Sequence, residues 1–425
     1  VGKVRFVSIA LAVVLTASVL FFWLAGFGNG RAGTLPVGKG RPAVSLGERH
    51  GLILASDGSL WAWGSDFLGW PVLGLGSNRF KSTRLAQIGH DTNWVSISAG
   101  TDHSVATKSD GTIWTWGEPV PRSRTAPTMF CSPVLAAPGN DWKQGVAGGN
   151  ISAAIKSNGT LWAWGDSWAG SVGDGTTNRK ILSPVQIGPS TNWVKVWAGV
   201  LETVGLQADG SLWYWGENPD PSFGQGAGQI VSPQRVGSDT NWVDVGFGVN
   251  TVFAIKSDGG LWTWGRNADR FTGAKNTASN AIPCRIGTNS DWQSICATTG
   301  WWCLGLVKKD RSVWYLDGSD RQPNGPRAPY KPFEIRRVPF KGPYAACAAG
   351  SMHAAPTGVH GLIGVAVQSD GEVWTWGMVL GDPLTIDGDW ERSVASIKAH
   401  LFRSSDPSWG PPPVYVFEPW RLKVD

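Results

Sequence analysis

The chain has 425 residues, room for two or three ordinary domains or one large repetitive one. With 42% hydrophobic and 16% charged residues it is no globally disordered chain. Its net charge of +5 is spread along the sequence without a basic stripe, which argues against nucleic acid as a partner. The compositional outlier is 27 tryptophans beside 3 Met and 5 Tyr, a bias that needs a structural cause.

Residues 1–5 hold Lys3 and Arg5 and read as a cytoplasmic stub. From Phe6 to Phe27 the chain is uncharged for 22 residues. As a helix at about 1.5 Å per residue this stretch crosses a bilayer. The positive flank places the amino terminus inside and the remainder on the extracytoplasmic side of a single-pass anchor. Gly26-Phe27-Gly28 is a poor small-x-small cleavage site, so an anchor is expected rather than a cleaved signal; cleavage would make the protein secreted. Val1 in place of Met fits either a bacterial alternative start codon or a clipped start. Residues 28–40 read as a linker and 41–425 as one repetitive domain.

Downstream the unit Asp-Gly-x-apolar-Trp-x-Trp-Gly recurs. Copies end at Gly64, Gly117, Gly165, Gly216, Gly265 and Gly377, and a degenerate one, KDRSVWYLDG, holds Trp314 and Leu316. A second mark, Asn-Trp or Asp-Trp, falls at Trp94, Trp142, Trp193, Trp242, Trp292 and Trp390, with Tyr344 in the matching place. In the first copy Arg41 occupies that place. The two marks absorb nineteen of the 27 tryptophans, so the excess is a property of the repeat. Glycines six residues after the second mark, and Ile-Gly or Val-Gly pairs before it, keep the same beat.

Between the marks the pattern has period two. WVSISAG, HSVATK, TIWTWG and RLAQIG read as the four short strands of the second copy, with Ser109-Asp110-Gly111 as a tight turn. Seven such units, none able to cover both faces of its sheet alone, predict an all-β, seven-bladed β-propeller of four-stranded blades. In Trp-x-Trp both indoles share one side of a strand, a paired aromatic slab for the neighbouring blade. The ring is expected to be completed either by the segment around Trp390 or by the alternating Val414 to Phe417, in the first or the last blade.

These marks resemble the regulator of chromosome condensation repeat family, whose unit contains AGxxH, DGxLWxWG and xNWxxV elements. The resemblance runs over most of the chain and implies a seven-bladed propeller. It implies nothing single about function, because family members differ widely in what they do. Nucleotide exchange on a nuclear GTPase, the role of founding members, conflicts with a membrane-crossing segment at residues 6–27. The plant ultraviolet-B photoreceptors place tryptophans directly after the repeat glycine, where this chain has Glu48, Thr101, Gly149, Val200, Val249 and Ser351. Secreted bacterial members include a protein inhibitor that binds through one loop face, a compartment matching the one expected here.

A search for chemistry finds no nucleophile elbow, phosphate loop, HExxH or zinc-spaced cysteines. No cofactor, metal or catalytic residue is therefore assigned. His50, His103 and His353 share the AGxxH register in copies one, two and seven, which neighbour one another around a closed ring; the family resemblance makes this histidine a structural hydrogen-bonding residue. Glu202 replaces it in copy four. Among Cys131, Cys284, Cys296, Cys303 and Cys347 a bridge between Cys296 and Cys303 is one option, and buried unbridged cysteines the other.

The connections between blade marks vary most. Trp70, Trp168 and Trp409 lie outside the repeat frame. The Pro-rich connection after Ser319 is basic, with Arg321, Arg327, Lys331, Arg336, Arg337 and Lys341 against Glu334. The candidate partner contacts are Trp70, Trp168, Arg327, Lys331, Arg336 and Arg337. The expected function is an extracytoplasmic, membrane-anchored scaffold that binds a protein partner through propeller loops. Alternative readings are a carbohydrate or cell-wall glycan binder using Trp70 or Trp168, a guanine-nucleotide exchange factor, and an enzyme with a site at the axial funnel.

Overall fold

The computed structural model describes residues 34–65, 71–76, 81–118, 129–176, 180–217, 228–248, 251–265, 283–296, 303–317, 334–338, 344–354, 359–379 and 414–421. The segment expected to cross the membrane, and Trp390, lie outside them. Among the described residues no helix is long and apolar enough to span a bilayer.

The strands form seven antiparallel four-stranded sheets, each made from consecutive strands. Blade 1 holds β1 (Ala43–Leu46), β2 (His50–Leu54), β3 (Leu60–Ser65) and β4 (Lys81–Gln87). Blade 2 holds β5 (Trp94–Ala99), β6 (His103–Lys108), β7 (Ile113–Gly117) and β8 (Phe130–Ala137). Blade 3 holds β9 (Trp142–Ala147), β10 (Ile151–Lys156), β11 (Leu161–Asp166) and β12 (Lys180–Gln186). Blade 4 holds β13 (Trp193–Ala198), β14 (Glu202–Gln207), β15 (Leu212–Glu217) and β16 (Gln229–Arg235). Blade 5 holds β17 (Trp242–Gly248), β18 (Thr251–Lys256), β19 (Leu261–Gly265) and β20 (Cys284–Ile286). Blade 6 holds β21 (Trp292–Ile295), β22 (Cys303–Lys308), β23 (Val313–Asp317) and β24 (Glu334–Arg337). Blade 7 holds β25 (Tyr344–Ala354), β26 (Val359–Gln368), β27 (Val373–Val379) and β28 (Val414–Arg421).

The expected strands are present with one reassignment. RLAQIG belongs to blade 1, where β4 pairs with β3 (Trp61 opposite Gln87), and the outer strand of blade 2 is β8. The reason is connectivity: the fourth strand follows the third across a long insert and precedes the next Asn-Trp mark.

Each tight turn is built by side chains. The Asp110 carboxylate accepts from the Thr112 N–H (3.0 Å) and hydroxyl (2.6 Å), and that hydroxyl accepts from the Trp114 indole N–H (2.8 Å). The same relay runs through Asp57, Ser59 and Trp61, through Asn158, Thr160 and Trp162, through Asp209, Ser211 and Trp213, and through Asp310, Ser312 and Trp314. These bonds to the hydroxyl, and then to the backbone, hold the Asp110, Asp209 and Asp310 carboxyls below their ordinary range. Gly111 has φ 81° and lies so near the Asn140 carbonyl of the following link that a Cβ has no room.

A fifth repeat mark, a lysine two residues before the turn Asp or Asn, emerges only in three dimensions. Lys108 Nζ stands 4.6 Å from the Trp94 ring centroid and 4.1 Å from that of Trp114, and pairs with Asp91 at 2.8 Å. Lys156, Lys256 and Lys308 repeat this between Trp142 and Trp162, Trp242 and Trp262, and Trp292 and Trp314. Within each pair the indoles meet edge to face, as Trp94 and Trp114 do at 6.0 Å. The expected aromatic slab is thus divided: the first indole closes the lysine clamp of its own blade, while the second, as in Trp116, Trp215 and Trp264, is fully buried.

The blades pack in sequence through shared apolar clusters. Leu52, Leu60 and Ala62 of blade 1 meet Trp94, Ala106 and Trp116 of blade 2, and the same arrangement recurs at later junctions. Near the axis polar bonds stitch the first strands together. Ser45 accepts from the Ala99 N–H, Ser98 from the Ala147 N–H, and Gln144 bonds Val196 in both directions. Asp244 accepts from Lys195 Nζ (2.6 Å) on one side and from the Ile295 N–H (2.8 Å) on the other.

Closure occurs between blades 1 and 7 without strand exchange. Leu46, Ile53, Trp61 and Trp63 pack on Ala348, Val365, Val367 and Val373. β28 is the outer strand of blade 7, so the Val414 to Phe417 segment completes the last blade. Leu35 does there what the second-mark residues do elsewhere: its N–H donates to the Gly371 carbonyl (3.0 Å), as Trp94 donates to Gly58 and Trp142 to Gly111.

Cysteine pairing also differs from the adjacent pair considered from sequence. Cys296 is bridged to Cys347, joining blades 6 and 7 across 51 residues, about one repeat. Cys303 instead opens β22, opposite Asp317.

Candidate functional site

The antiparallel order gives the ring two dissimilar faces. Turns such as Ser109-Asp110-Gly111, and the links from fourth strand to next first strand, share one face and keep nearly constant length. The turns between first and second strands share the other face with the strand ends that every connection from third to fourth strand joins, the connections being 66–80, 118–129, 167–179, 218–228, 266–283, 318–333 and 380–413. All the large sequence variation therefore leaves from one side of the ring.

Parts of two of these inserts are described, 71–76 in blade 1 and 167–176 in blade 3, and each is anchored to the next blade by the second tryptophan of Trp-x-Trp. The Trp116 indole donates to the Val72 carbonyl (3.1 Å), and Val72 and Leu73 are fully buried beneath it. The Trp215 indole donates to the Ser171 carbonyl (2.9 Å), which also accepts from the Thr203 hydroxyl (2.8 Å). Further out, the Gly76 N–H bonds the Cys131 carbonyl and the Gly175 N–H that of Val231, both on the next blade's outer strand. Gly173, with φ 85°, lets the insert backbone pass directly over the Trp215 ring.

Toward the axis on the same face lies a polar layer. His50 and His103 are buried, and each bonds a serine of the following blade, His50 Nε2 with Ser104 Oγ (2.6 Å) and His103 Nε2 with Ser152 Oγ (2.9 Å). Burial first, then the charges of His103 and Arg49, lowers the His50 pKa to about 3; burial lowers that of His103 to about 4. Both are neutral at pH 7. Ser104 and Ser152 have no exposed surface, so these pairs join neighbouring blades in the interior. Arg49 and Asp102 pair at 3.4 Å in the adjoining turns.

Glu202 holds the histidine position in blade 4. Its Oε2 accepts from the Leu201 N–H (3.0 Å), while burial and the Glu217 charge push its pKa to about 7. Tyr214 donates to the Glu217 carbonyl, and burial, with the charges of Glu202 and Glu217, raises its pKa well above the ordinary value.

The grouping of His50, His103 and His353 is corrected by the register. His50 lies opposite Gly64 and His103 opposite Gly117, whereas in blade 7 the residue opposite Gly377 is Ile363. The longer hairpin of β25 and β26 carries His353 beyond that point, opposite His360. Among the described residues no three metal-ligating side chains converge.

The candidate contacts are dispersed. Trp70, Arg327, Lys331 and Trp409 lie outside the described residues. Trp168 opens a short 3-10 turn, Trp168–Gly170, in the blade 3 insert. Arg336 and Arg337 are exposed on β24, the outer strand of blade 6, with Arg337 opposite Trp314 and so near the turn face. The structure does not bring them together with Trp168. The lysine clamps and the insert anchors were missed from sequence. A lysine two places before Asp-Gly was the available signal for the former; for the latter there was none, since the acceptors are backbone carbonyls.

Residues 43–69 and 94–119 match the Regulator of chromosome condensation (RCC1) repeat. An X-linked retinitis pigmentosa GTPase regulator homolog of Caenorhabditis elegans is 38% identical over 82 residues, covering 18% of this chain and 6% of that protein. Protein pim1 of Schizosaccharomyces pombe is 36% identical over 87 residues, 18% of this chain and 16% of that protein. The chain thus spans a small part of the curated relatives it matches. Among solved structures, Prp20p from Saccharomyces cerevisiae superposes with a TM-score of 0.62 at 17% identity, covering 91% of this chain and 87% of its own. Human WBSCR16 does so with a TM-score of 0.59 at 15% identity, covering 86% and 94%. Sequence marks and blade count agree: the chain is a seven-bladed propeller that contains regulator of chromosome condensation (RCC1) repeats at residues 43–69 and 94–119.

Proposed function

We infer that the protein is a binding scaffold that recognises a protein partner through the insert-bearing face of the propeller. The observation that carries this reading is the anchoring of inserts by buried indoles, Trp116 on Val72 and Trp215 on Ser171. Loops whose bases are fixed before binding lose little ordering entropy on docking, which is the usual advantage of a preorganised surface. The structural relative Prp20p, characterised by binding to Gsp1p and histones, supports protein recognition as a use of this fold.

The reading includes an extracytoplasmic, membrane-anchored setting in a bacterial envelope. In its favour are the uncharged run from Phe6 to Phe27 and the bridge between Cys296 and Cys347, since disulfides persist in oxidising compartments.

The test is affinity capture from the parent envelope with the full chain and with a variant whose 66–80 and 167–179 inserts are replaced by tight turns. Recovery of one stoichiometric protein by the first and not the second is expected. Recovery of glycan alone, or of the same protein by both, overturns the reading.

A further inference from the structure

The segment that leads into blade 1 crosses the turn face. The Leu35 N–H donates to the Gly371 carbonyl in the turn between β26 and β27 of blade 7. Further on, the Gly38 N–H donates to Ser56 Oγ (2.8 Å) and the Gly40 N–H to the Ser56 carbonyl (2.7 Å), in the turn between β2 and β3 of blade 1. The chain before Thr34 therefore leaves the propeller from its turn face, beside the middle of blade 7.

Exposed apolar side chains gather on the same face. Among the described residues six large ones are exposed, and four of these lie here: Val37 (60%), Val95 (53%), Val194 (39%) and Val243 (38%). Val37 is on the crossing segment, between the exposed Lys39 and Arg41 on one side and Leu35 on the other. The other three each follow the tryptophan that opens β5, β13 or β17 and stand where the pairing with the second strand skips a residue. The extra residue of such a bulge is left out of the ladder. In blade 3 that place holds Lys143, also exposed. The aspartates of this face are engaged by their neighbours, Asp91 by Lys108, Asp239 by Lys256, Asp110 by Thr112 and Asp209 by Ser211. Apolar side chains set among Lys and Arg suit a surface that rests on lipid headgroups.

The reach of the chain restricts which face can do so. With Phe6 to Phe27 spanning a bilayer, residues 28–33 are the tether, and six extended residues cover at most about 20 Å. From Gly371 the outer edge of blade 7 is about two strand spacings away, roughly 10 Å, and a six-residue strand separates the two faces by about 20 Å more. That path is longer than the tether, so the insert face is held off the membrane.

We propose that the turn face lies against the headgroups of the anchoring bilayer, with Val37, Val95, Val194, Val243, Lys39 and Arg41 in contact, and that the inserts point away from it. The proposal rests on the membrane-anchored reading of residues 6–27 and goes beyond it by assigning one face of the ring to lipid.

The test uses the full chain reconstituted in vesicles of phosphatidylethanolamine and phosphatidylglycerol. Benzoylphenylalanine replaces Val95 or Val243 on the turn face, or Asn150, exposed in the turn between β9 and β10 on the insert face. After irradiation, lipid adducts should be severalfold more abundant at Val95 and Val243 than at Asn150. Lys39→Glu with Arg41→Glu should lower the turn-face yield severalfold while the chain stays with the vesicles in alkaline carbonate. Release of the unsubstituted chain by carbonate overturns the anchored reading and this proposal with it. Retention with adducts as abundant at Asn150 as at Val95, with none at any of the three sites, or with full yield in the Lys39 and Arg41 variant overturns the placement of the face alone.

Discussion

The Leu35 N–H donates to the Gly371 carbonyl at 3.0 Å, and this bond ties the segment that precedes blade 1 to the last blade. Leu35 is 2% exposed and packs with Ala348, Val365, Val367 and Val373. Truncating it leaves a cavity at the junction between blades 1 and 7. Leu35→Ala should lower unfolding free energy by about 2–4 kcal/mol in a denaturant titration. Arg41→Ala, at the exposed position the sequence marks suggested, should change it by less than about 0.5 kcal/mol. Equal effects would remove Leu35 from the closure.

This contact shows where the sequence was readable and where it was not. Blade count and turn positions follow from side-chain marks: Asp110 and Thr112 must stand two apart to bond, and Trp114 two further, so they recur in sequence as they recur in space. Leu35 carries no mark because its role uses backbone and apolar contact. His353 kept its spacing from Gly350 yet left its register, because strand lengthening in the hairpin is invisible to a motif. Cys296 and Cys347 are one repeat apart, and that spacing, which puts Cys296 just past the first strand of blade 6 and Cys347 on the first strand of blade 7, was the overlooked signal.

Blade 5 breaks the turn relay with glycine at position 260, and the buried Trp262 indole N–H there has no hydrogen-bond partner. A Cβ at Gly260 would stand in tight contact, 3.1 Å from Asp258 Oδ1 and 3.2 Å from Trp262 Nε1, the residues a serine hydroxyl bridges in other blades, and its φ lies outside the left-handed region. Gly260→Ser should therefore stabilise the fold by about 0.5–1.5 kcal/mol. Thermal unfolding checks this; a lowered midpoint would show that the pocket cannot take the hydroxyl.

Stability should rise with pH between about 4.5 and 6.5. His50 and His103 titrate near 3 and 4 in the fold against an ordinary 6.5, so their contribution is complete above 6.5 and is lost on acidification. Glu202 acts oppositely: its folded pKa of about 7 exceeds the ordinary 4.5, so its contribution is present below 4.5 and lost as pH rises toward 7. Across the window the unfolded chain holds a net one more proton, a slope of about 1.4 kcal/mol per pH unit. Glu202→Gln removes the opposing proton and should roughly double the slope. Denaturant midpoints at stepped pH measure both, and a flat profile would contradict the assignment of two buried neutral histidines.

The Cys296 to Cys347 bridge closes a span of 51 residues. In a chain-entropy account such a link contributes about 4 kcal/mol by restricting the unfolded chain. Cys347→Ser should lower stability by up to about that amount, and a non-reducing peptide digest should contain the linked pair. A digest in which Cys296 is joined to Cys303 would refute the pairing.

Amide hydrogen exchange on the chain, free and in complex with its captured partner, tests the binding face most directly. Slowed exchange in 71–76 and 171–176, with the turns at 109–112 and 208–211 unchanged, is the expected footprint. Protection of those turns with the inserts unaffected would contradict it.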